Sequence, residues 1–183
     1  MYWSPSQLSP WLSAIRNGQP AAAPAEGVYG YVANPFNPAA LKAVLDIKQR
    51  SSAKGFILLV QSPAQLAQLC PNLPESCQSA IQTYWQPGQP ATTLILPAQG
   101  SLPPLLTGGQ GTVAVRCPQS AYMQEYLAAA AIPLVSTSLN LSGEPPATHI
   151  SQLPTNLPAL TLPEALSGNP SRIFNPLSNE WLR

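Results

Sequence analysis

The sequence has few charged residues. Asp, Glu, Lys and Arg make up only 8% of its 183 residues, whereas about a quarter is typical of soluble domains. Eight Lys and Arg against seven Asp and Glu leave a formal net charge of +1. This balance excludes a strongly basic protein that coats nucleic acid, and it excludes an acidic disordered tail.

Residues that ligate metals or form disulfides are also scarce. The single histidine, His149, argues against a histidine-based metal site, and it has no partner at a spacing typical of a hydrolase triad. The three cysteines, Cys70, Cys77 and Cys117, are too few and too irregularly spaced for a disulfide framework or a zinc site. We therefore expect buried, unreactive thiols and no metal centre.

Long hydrophobic runs are missing. The longest candidate, residues 126–135, is ten residues long and is interrupted by Pro133, whereas a membrane span needs about 18 apolar residues. The first residues lack the basic start and the apolar run of a signal peptide, so we expect a cytoplasmic protein with no membrane association. With 45% hydrophobic residues, the chain can bury a core, and its length predicts one domain over residues 1–183.

Helical patterns and short apolar runs are intermixed along the chain. This order predicts an α/β fold: a single domain with a twisted mixed sheet flanked by helices. The clearest helix start is Asn37-Pro38, since Asn is a good N-cap and Pro favours the first helical position. Helices are predicted over residues 10–16, 38–50, 63–69, 75–85, 120–130 and, as a short helix, 148–153. Strands are predicted over residues 21–23, 56–60, 92–96, 112–115, 134–137, 159–162 and 172–174. A turn is predicted over residues 24–30, and a tight hairpin-like connection over the glycine-rich residues 106–111.

Half of the cations lie close together in the sequence. Lys42, Lys48, Arg50 and Lys54 fall within 13 residues, and only Asp46 offsets them. Cations at the end of a helix stabilise its dipole, which is a purely structural role. Lys and Arg are also the residues that bind polyphosphates, Lys as a point charge and Arg as a fork of donors. Spacing alone leaves both interpretations open.

A further cation, Arg116, ends the predicted strand TVAVR. No acidic residue lies within eight positions of it, which argues against a local surface salt bridge. An Arg at the carboxyl end of a strand can point into the crevice where α/β proteins bind ligands. This position favours a role in binding an anion.

A polar loop follows the apolar residues 133–135. Residues 136–143 (STSLNLSG) bring together four hydroxyls, an amide and a glycine. Such a loop can hold a phosphate through side chains and backbone N–H groups, or it can be an ordinary polar turn. Neither GxGxxG nor GxxxxGK[ST] occurs, so a Rossmann or P-loop site is not expected. The four tryptophans are expected to be packing groups.

Taken in chain order, six segments resemble the YrdC-like threonylcarbamoyl-AMP synthase family. They are PAEGVYG (24–30), KQRSSAKGFILL (48–59), QPATTLILPA (89–98), LTGGQGTVAVRCP (106–118), PLVSTSLNLSGEPP (133–146) and NPSRI (169–173). Any one of these segments alone would be a weak signal. The combination of KxR, VAVR and STSxNxSG is specific.

The resemblance implies a single α/β domain with a basic concave face. It implies that ATP, L-threonine and bicarbonate react to give threonylcarbamoyl-adenylate and pyrophosphate, with Mg²⁺ accompanying ATP. A partner complex would then pass the threonylcarbamoyl group to a tRNA adenosine beside the anticodon. Such a reaction needs positioning and neutralisation of phosphate charge rather than a catalytic nucleophile or a protein-bound metal.

The resemblance also implies which residues contact each substrate. The nucleotide contacts would be Lys48, Arg50, Lys54, Thr112, Ser138 and Asn140. The threonine contacts would be Arg116, which would hold the carboxylate, Ser136 and Ser171.

The sequence departs from the family pattern at a few positions. Ala25 stands where the family has Thr, and Val32 stands where it has Gly. The stretch 87–93 is longer than usual, so either Thr92 or Thr93 could take the place of the family threonine. These departures leave a second hypothesis open, that of a diverged relative that binds nucleotide or RNA without turnover. A third, a protein-interaction module that uses proline-rich loops and exposed tryptophans, leaves the clustered cations unexplained.

Overall fold

In the computed structural model, which describes residues 1–183, eight strands form one mixed sheet. The strands are β1 (Ala21–Pro24), β2 (Tyr29–Ala33), β3 (Ile57–Leu59), β4 (Thr92–Pro97), β5 (Thr112–Arg116), β6 (Leu134–Ser138), β7 (Arg172–Asn175) and β8 (Glu180–Trp181). Their spatial order is β1-β2-β6-β3-β5-β4-β7-β8. The pairs β3/β5 and β4/β7 are parallel, and the other five are antiparallel. The predicted α/β class and mixed sheet are confirmed.

Five α-helices flank this sheet. They are α1 (Pro5–Arg16), α2 (Pro38–Lys48), α3 (Glu75–Tyr84), α4 (Pro104–Thr107) and α5 (Ala121–Ala130). Short 3₁₀ helices cover Ser52–Lys54, Pro63–Gln68 and Ile150–Gln152. None of the helices combines the length and apolar character that crossing a membrane requires.

Helix α2 begins as predicted. The Asn37 side-chain oxygen accepts hydrogen bonds from the backbone N–H of Ala39 at 3.0 Å and of Ala40 at 3.3 Å, which satisfies two donors that a helix start leaves open. The helix ends at Lys48, because Gln49 adopts a left-handed conformation with φ 49°. The predicted helix ran to Arg50, so the end differs by two residues. The early end leaves Arg50 outside the helix, where its side chain is free to turn toward the sheet.

One face of the sheet is fully covered. Leu58, Leu94, Val115 and Val135 of the central strands face a core that also contains apolar residues of α2, α3 and α4. This core holds the strands in place by apolar burial, the main favourable contribution to folding. Because side chains alternate along a strand, the residues between these apolar ones point to the opposite face of the sheet.

The second face is only half covered. Helices α1 and α5 bury Trp11, Tyr126 and their neighbours against Val32, Leu59 and Leu134. No helix covers the rest of this face. There the register places Ser136 beside Ile57, Ile57 beside Ala114, and Ala114 beside Ile95. This row of side chains, across β6, β3, β5 and β4, forms the floor of an open cavity.

Several predicted boundaries were wrong at the chain's ends. Helix α1 starts at Pro5 rather than at residue 10, because Pro10 lies inside the helix. Residues 159–162 do not form a strand, since only Ala159 makes a single parallel bridge, with Ala22. The short strand β8 was missed.

Other predictions failed where small residues obscure the pattern. Strand β2 was not predicted: its first two residues fell in the predicted turn over residues 24–30, and residues 31–33 were assigned to no element. Its Gly and Ala residues carry little apolar signal, although the whole strand is buried. The helix predicted over residues 63–69 is a 3₁₀ helix over Pro63–Gln68. The connection between the antiparallel strands β4 and β5 spans residues 98–111 and contains α4, so it is not tight.

The turn that carries Lys54 packs against the end of α4 through glycines. A Cβ on Gly108 would lie 2.5 Å from the Ala53 carbonyl oxygen and 2.8 Å from the Gly55 nitrogen. A Cβ on Gly55 would in turn lie 2.8 Å from the Leu106 carbonyl oxygen. Side chains at either position would push the two segments apart.

We predict that Gly108→Ala lowers the free energy of unfolding more than Gly109→Ala does. Both residues have positive φ, +68° and +75°, but nothing lies within 4 Å of a Cβ on Gly109. The control therefore carries the conformational cost alone, and the steric conflict at Gly108 adds ~1–3 kcal/mol. Urea unfolding measures both values. Equal losses would contradict the close approach of the two segments.

Candidate functional site

The uncovered part of the sheet forms a cavity of about 310 Å³, at the lower end of the range typical of small-molecule sites. Six of the nine predicted site residues line it: Arg50, Lys54, Arg116, Ser136, Ser138 and Ser171. The cavity has four cations among its lining residues, half of the eight in the chain, and no Asp or Glu. It is therefore a site for anions.

Arg50 is fixed by neighbours on both sides of the cavity. Its Nη1 donates to the Thr137 hydroxyl at 2.8 Å, and its Nη2 donates to the Gly55 carbonyl oxygen at 2.9 Å. The guanidinium carbon lies 5.7 Å from the centre of the Phe56 ring. Burial lowers the pKa of Arg50 from its ordinary value, yet Arg stays protonated in proteins. Arg50 thus presents a fixed positive charge.

Lys54 and Ser138 lie at the open side of the cavity. Lys54 is exposed and its ammonium has no hydrogen-bond partner in the protein. The Ser138 hydroxyl donates to the Asn140 side-chain oxygen at 2.6 Å. A free ammonium beside an oriented hydroxyl is an arrangement that can bind phosphate oxygens.

Arg116 lies at the deep end of the cavity. Only 4% of its surface is exposed, and its one acidic neighbour is Glu26, with Nε 3.6 Å from Oε2. A buried guanidinium with a single distant counter-charge retains capacity for a second anion. The sequence located this cation, but its partner Glu26 lies 90 residues away in the chain and could not be foreseen.

Ser171 lines the same cavity as Arg116 and is held by two hydrogen-bonding neighbours. Its hydroxyl lies 3.0 Å from the Thr93 hydroxyl, and its carbonyl oxygen accepts from Nε of Arg183 at 2.9 Å. Thr93, rather than Thr92, therefore supports this side of the site, since the Thr92 hydroxyl bonds to the Pro90 carbonyl oxygen.

Lys48, a predicted nucleotide contact, lies outside the cavity lining. Its side chain is buried, with 3% of the residue exposed. Its ammonium donates to the carbonyl oxygens of Ser138 and Asn140 and to the Asn140 side-chain oxygen. Lys48 does not line the cavity. It holds the polar loop after β6 in place, so the geometry gives no support for a direct phosphate contact.

Asn140 and Thr112 also lie outside the cavity lining. The Asn140 side chain is engaged by Lys48 and Ser138 and donates to the Glu144 carbonyl oxygen at 2.6 Å. Thr112 is the first residue of β5. Because side chains alternate along a strand, it shares a face of the sheet with Ala114 and Arg116, but it lies beyond the cavity lining. Their nucleotide contacts remain predictions.

Sequence reasoning missed Arg183. Its guanidinium enters the cavity because the chain after β8 folds back beside β7, where Ile173 N–H donates to the Arg183 carbonyl oxygen at 2.9 Å. Burial and the neighbouring Arg116 lower the pKa of Arg183. The only sequence signal was the scarcity of cations, which makes each one informative.

The departures from the family pattern at Ala25 and Val32 have different consequences for the site. Ala25 lines the cavity, so the missing hydroxyl is lost from the site itself. Val32 is fully buried in the core beneath α1 and α5, so it does not touch the cavity.

Neither a metal ion nor a thiolate has a place in this site. No group of three or more His, Cys, Asp and Glu side chains could hold a metal ion. All three cysteines are buried and free, and burial raises the pKa of Cys117 to about 11 and that of Cys70 to about 12. The residues at the site do not fit a protein-bound Mg²⁺.

We expect Lys48→Met to destabilise the protein by ~1–3 kcal/mol, because three buried oxygen acceptors lose their donor. The matched control is Lys42→Met, since Lys42 is exposed and pairs only with Asp46 at 2.6 Å. An exposed pair of this kind contributes ~0.3–0.5 kcal/mol. Chemical unfolding compares the two variants, and equal losses would contradict the buried role of Lys48.

The wild type and Lys48→Met also give a test of how stability depends on pH. Burial, with a smaller contribution from Arg50, lowers the pKa of Lys48 from 10.5 to about 8. Between these values the unfolded chain binds more protons than the folded protein, so stability rises with pH. The stability of the wild type relative to Lys48→Met should therefore increase from pH 8 to 10.5. A difference that stays constant or falls over this range would contradict the assignment.

The chain matches known proteins in its sequence and in its fold. A family model described as telomere recombination, Sua5_yciO_yrdC, matches residues 13–176. A threonylcarbamoyl-AMP synthase of Sodalis glossinidius is 36% identical over 186 aligned residues, covering 98% of this chain and 96% of that protein. The threonylcarbamoyl-AMP synthase of Hydrogenovibrio crunogenus is 34% identical over 175 residues, covering 92% of each.

Solved structures share the fold. Sua5 of P. abyssi, crystallised in complex with L-threonine, is 28% identical with a TM-score of 0.80 over 90% of this chain and 49% of that chain. This chain thus spans about half the length of that Sua5 chain. YciO of E. coli, at 19% identity, has a TM-score of 0.77 over 92% of this chain and 82% of that chain. The sequence match and the shared sheet place this chain in the Sua5/YciO/YrdC family.

Proposed function

We propose that this protein is a threonylcarbamoyl-AMP synthase, which forms threonylcarbamoyl-adenylate and pyrophosphate from L-threonine, bicarbonate and ATP. The observation that carries this proposal is a cavity with four cations and no carboxylate, in a chain with only eight cations. Two anionic substrates, a triphosphate and an amino acid, need such a site. The relatives named threonylcarbamoyl-AMP synthase match this chain over nearly their whole length.

The open side of the cavity suits the triphosphate. Arg50 is held rigid by Thr137 and Gly55, and Lys54 offers a mobile ammonium at the entrance. The Ser138 hydroxyl, oriented through Asn140, adds a polar group. These groups would neutralise the phosphate charge that grows on the leaving pyrophosphate, which is the main contribution a protein makes to phosphoryl transfer.

The deep side suits the amino acid. Arg116 would hold the threonine carboxylate, and Ser136 and Ser171, which line the same cavity, would contact the rest of the amino acid. The threonine amine would then lie between these groups and the triphosphate, so threonine, bicarbonate and ATP would be held together. Such positioning removes much of the activation barrier of the reaction.

The bonds that change follow from the product. The threonine nitrogen bonds to the carbon of bicarbonate, with loss of water, to give a carbamate. A carbamate oxygen then bonds to the α-phosphorus of ATP as the bond from that phosphorus to the bridging oxygen of pyrophosphate breaks. No protein nucleophile is needed, and no cysteine lines the cavity. Mg²⁺ would arrive with ATP, bound by phosphate oxygens rather than by the protein.

The adenylate must then be consumed. We infer that a tRNA and a partner complex that transfers the threonylcarbamoyl group act after this protein in the cytoplasm, where both ATP and tRNA are available. A net charge of +1 favours handing over the adenylate rather than tight binding of RNA by this chain alone.

The alternative of a nucleotide binder without turnover is separated by calorimetry. That protein would bind ATP, but its threonine affinity would not depend on the nucleotide or on Arg116. The interaction-module hypothesis has little support, because three of the four tryptophans are buried.

We predict that Arg116→Gln raises the KM for threonine by about 10- to 100-fold with little change in the KM for ATP, since a hydrogen bond to a charged group contributes ~1.5–3 kcal/mol. Arg50→Gln should do the reverse. Steady-state release of pyrophosphate measures both constants. Arg16→Gln is the control, because Arg16 is an exposed residue in the last turn of α1.

No pyrophosphate or adenylate from the wild type at high enzyme concentration would remove the proposed function. Equal effects of Arg116→Gln and Arg50→Gln on both substrates would contradict the division of the cavity into two sides.

A further inference from the structure

Glu26 is the one carboxylate that pairs with a cation of the cavity. It does not line this cavity; it lines a neighbouring one, and Pro170 lines both. Its Oε2 lies 3.6 Å from Nε of Arg116. Glu26 therefore contacts Arg116 from outside the lining of the first cavity.

The pair divides the guanidinium of Arg116 into two edges. Nε and the facing Oε2 of Glu26 are fully buried, and neither has a hydrogen-bond partner. Their contact at 3.6 Å is therefore an ion pair rather than a hydrogen bond. The two terminal nitrogens of Arg116 have no partner in the protein either, but they are not among the fully buried atoms. They therefore face the cavity. The Glu26 side is committed to the protein, and the terminal nitrogens form a free fork that matches a carboxylate.

The backbone at Glu26 is held in an uncommon conformation. Its φ is +67°, a left-handed value that non-glycine residues adopt at a cost. The turn between β1 and β2 maintains it, with Ala25 N–H donating to the Val28 carbonyl oxygen at 2.8 Å. The Tyr122 hydroxyl donates to the Glu26 carbonyl oxygen at 3.4 Å. This conformation directs the side chain toward Arg116 rather than into solvent.

We propose that Glu26 is a positioning residue for amino-acid binding: its carboxylate fixes the Nε edge of Arg116, so that both terminal nitrogens point to the substrate carboxylate. This rests on the proposed function, in which Arg116 binds threonine. A buried guanidinium without its counter-charge is costly, so removing Glu26 lets Arg116 turn toward other acceptors. Glu26 does not line the cavity, so in this proposal it acts only through Arg116.

The first test compares Glu26→Ala and Glu26→Gln with the control Glu164→Ala, an exposed loop residue. Glu26→Ala should raise the KM for threonine about tenfold or more, because a misplaced binding group loses its oriented contact. The KM for ATP should stay within about twofold. Glu26→Gln keeps the size of the side chain but removes the counter-charge, so it should show most of the same rise. A lower or unchanged KM for threonine in Glu26→Ala would overturn the proposal, as would an equal rise for ATP.

The second test is a double-mutant cycle read by calorimetry of L-threonine binding. If Glu26 acts through Arg116, Glu26→Ala in an Arg116→Gln background should produce no further loss of affinity. Additive losses would overturn the proposal. L-Threoninamide, which lacks the carboxylate, should bind the wild type and Glu26→Ala equally well, and a loss in the variant would also count against it. An inactive wild type would remove the proposed function, whereas an active wild type with an unaffected Glu26→Ala would remove this inference alone.

Discussion

An excess of positive charge in one cavity, offset only by Glu26 beside Arg116, is the constraint on which the rest of this structure depends. Arg50, Lys54, Arg116 and Arg183 all line one cavity, and no carboxylate lines it with them. Like charges in a partly buried site repel, and burial lowers the pKa of both Arg50 and Arg183. A bound anion would relieve this repulsion. The repulsion in the empty site therefore makes the binding of anions more favourable. A chain of low overall charge makes the effect specific, because few other surfaces attract the same ligands.

The fold provides the place for this charge by leaving half of one sheet face uncovered. Helices α2, α3 and α4 cover the opposite face, while α1 and α5 cover only part of the second one. The floor from Ser136 to Ile95 consists of small and apolar side chains, so it supplies shape rather than charge. The charged groups come from segments around it: the loop after α2, the end of β5 and the end of the chain. In the proposed function, this floor with cations at its margins would hold the two substrates at fixed positions.

Part of this site could be predicted from the sequence, and the reason is physical. Scarce cations are informative, so Arg50, Lys54 and Arg116 were found, and alternating or apolar runs located the central strands. Lys48 was assigned by its proximity to Arg50 in the chain. Helix α2 ends between the two residues, so the Lys48 side chain points into the protein whereas the Arg50 side chain points to the cavity. Arg183 and Glu26 depend on contacts between distant segments, which no local pattern records. Strand β2 was missed because Gly and Ala are buried there by neighbours rather than by their own apolar character.

The central claim is that one cavity takes a triphosphate and an amino acid side by side on different cations. A crystal structure of this protein with a non-hydrolysable ATP analogue and L-threonine tests it most directly. The account predicts the threonine carboxylate on the terminal nitrogens of Arg116 and the phosphates on Arg50 and Lys54, within the same cavity. A nucleotide or a threonine bound elsewhere, or a triphosphate on Arg116, would contradict it.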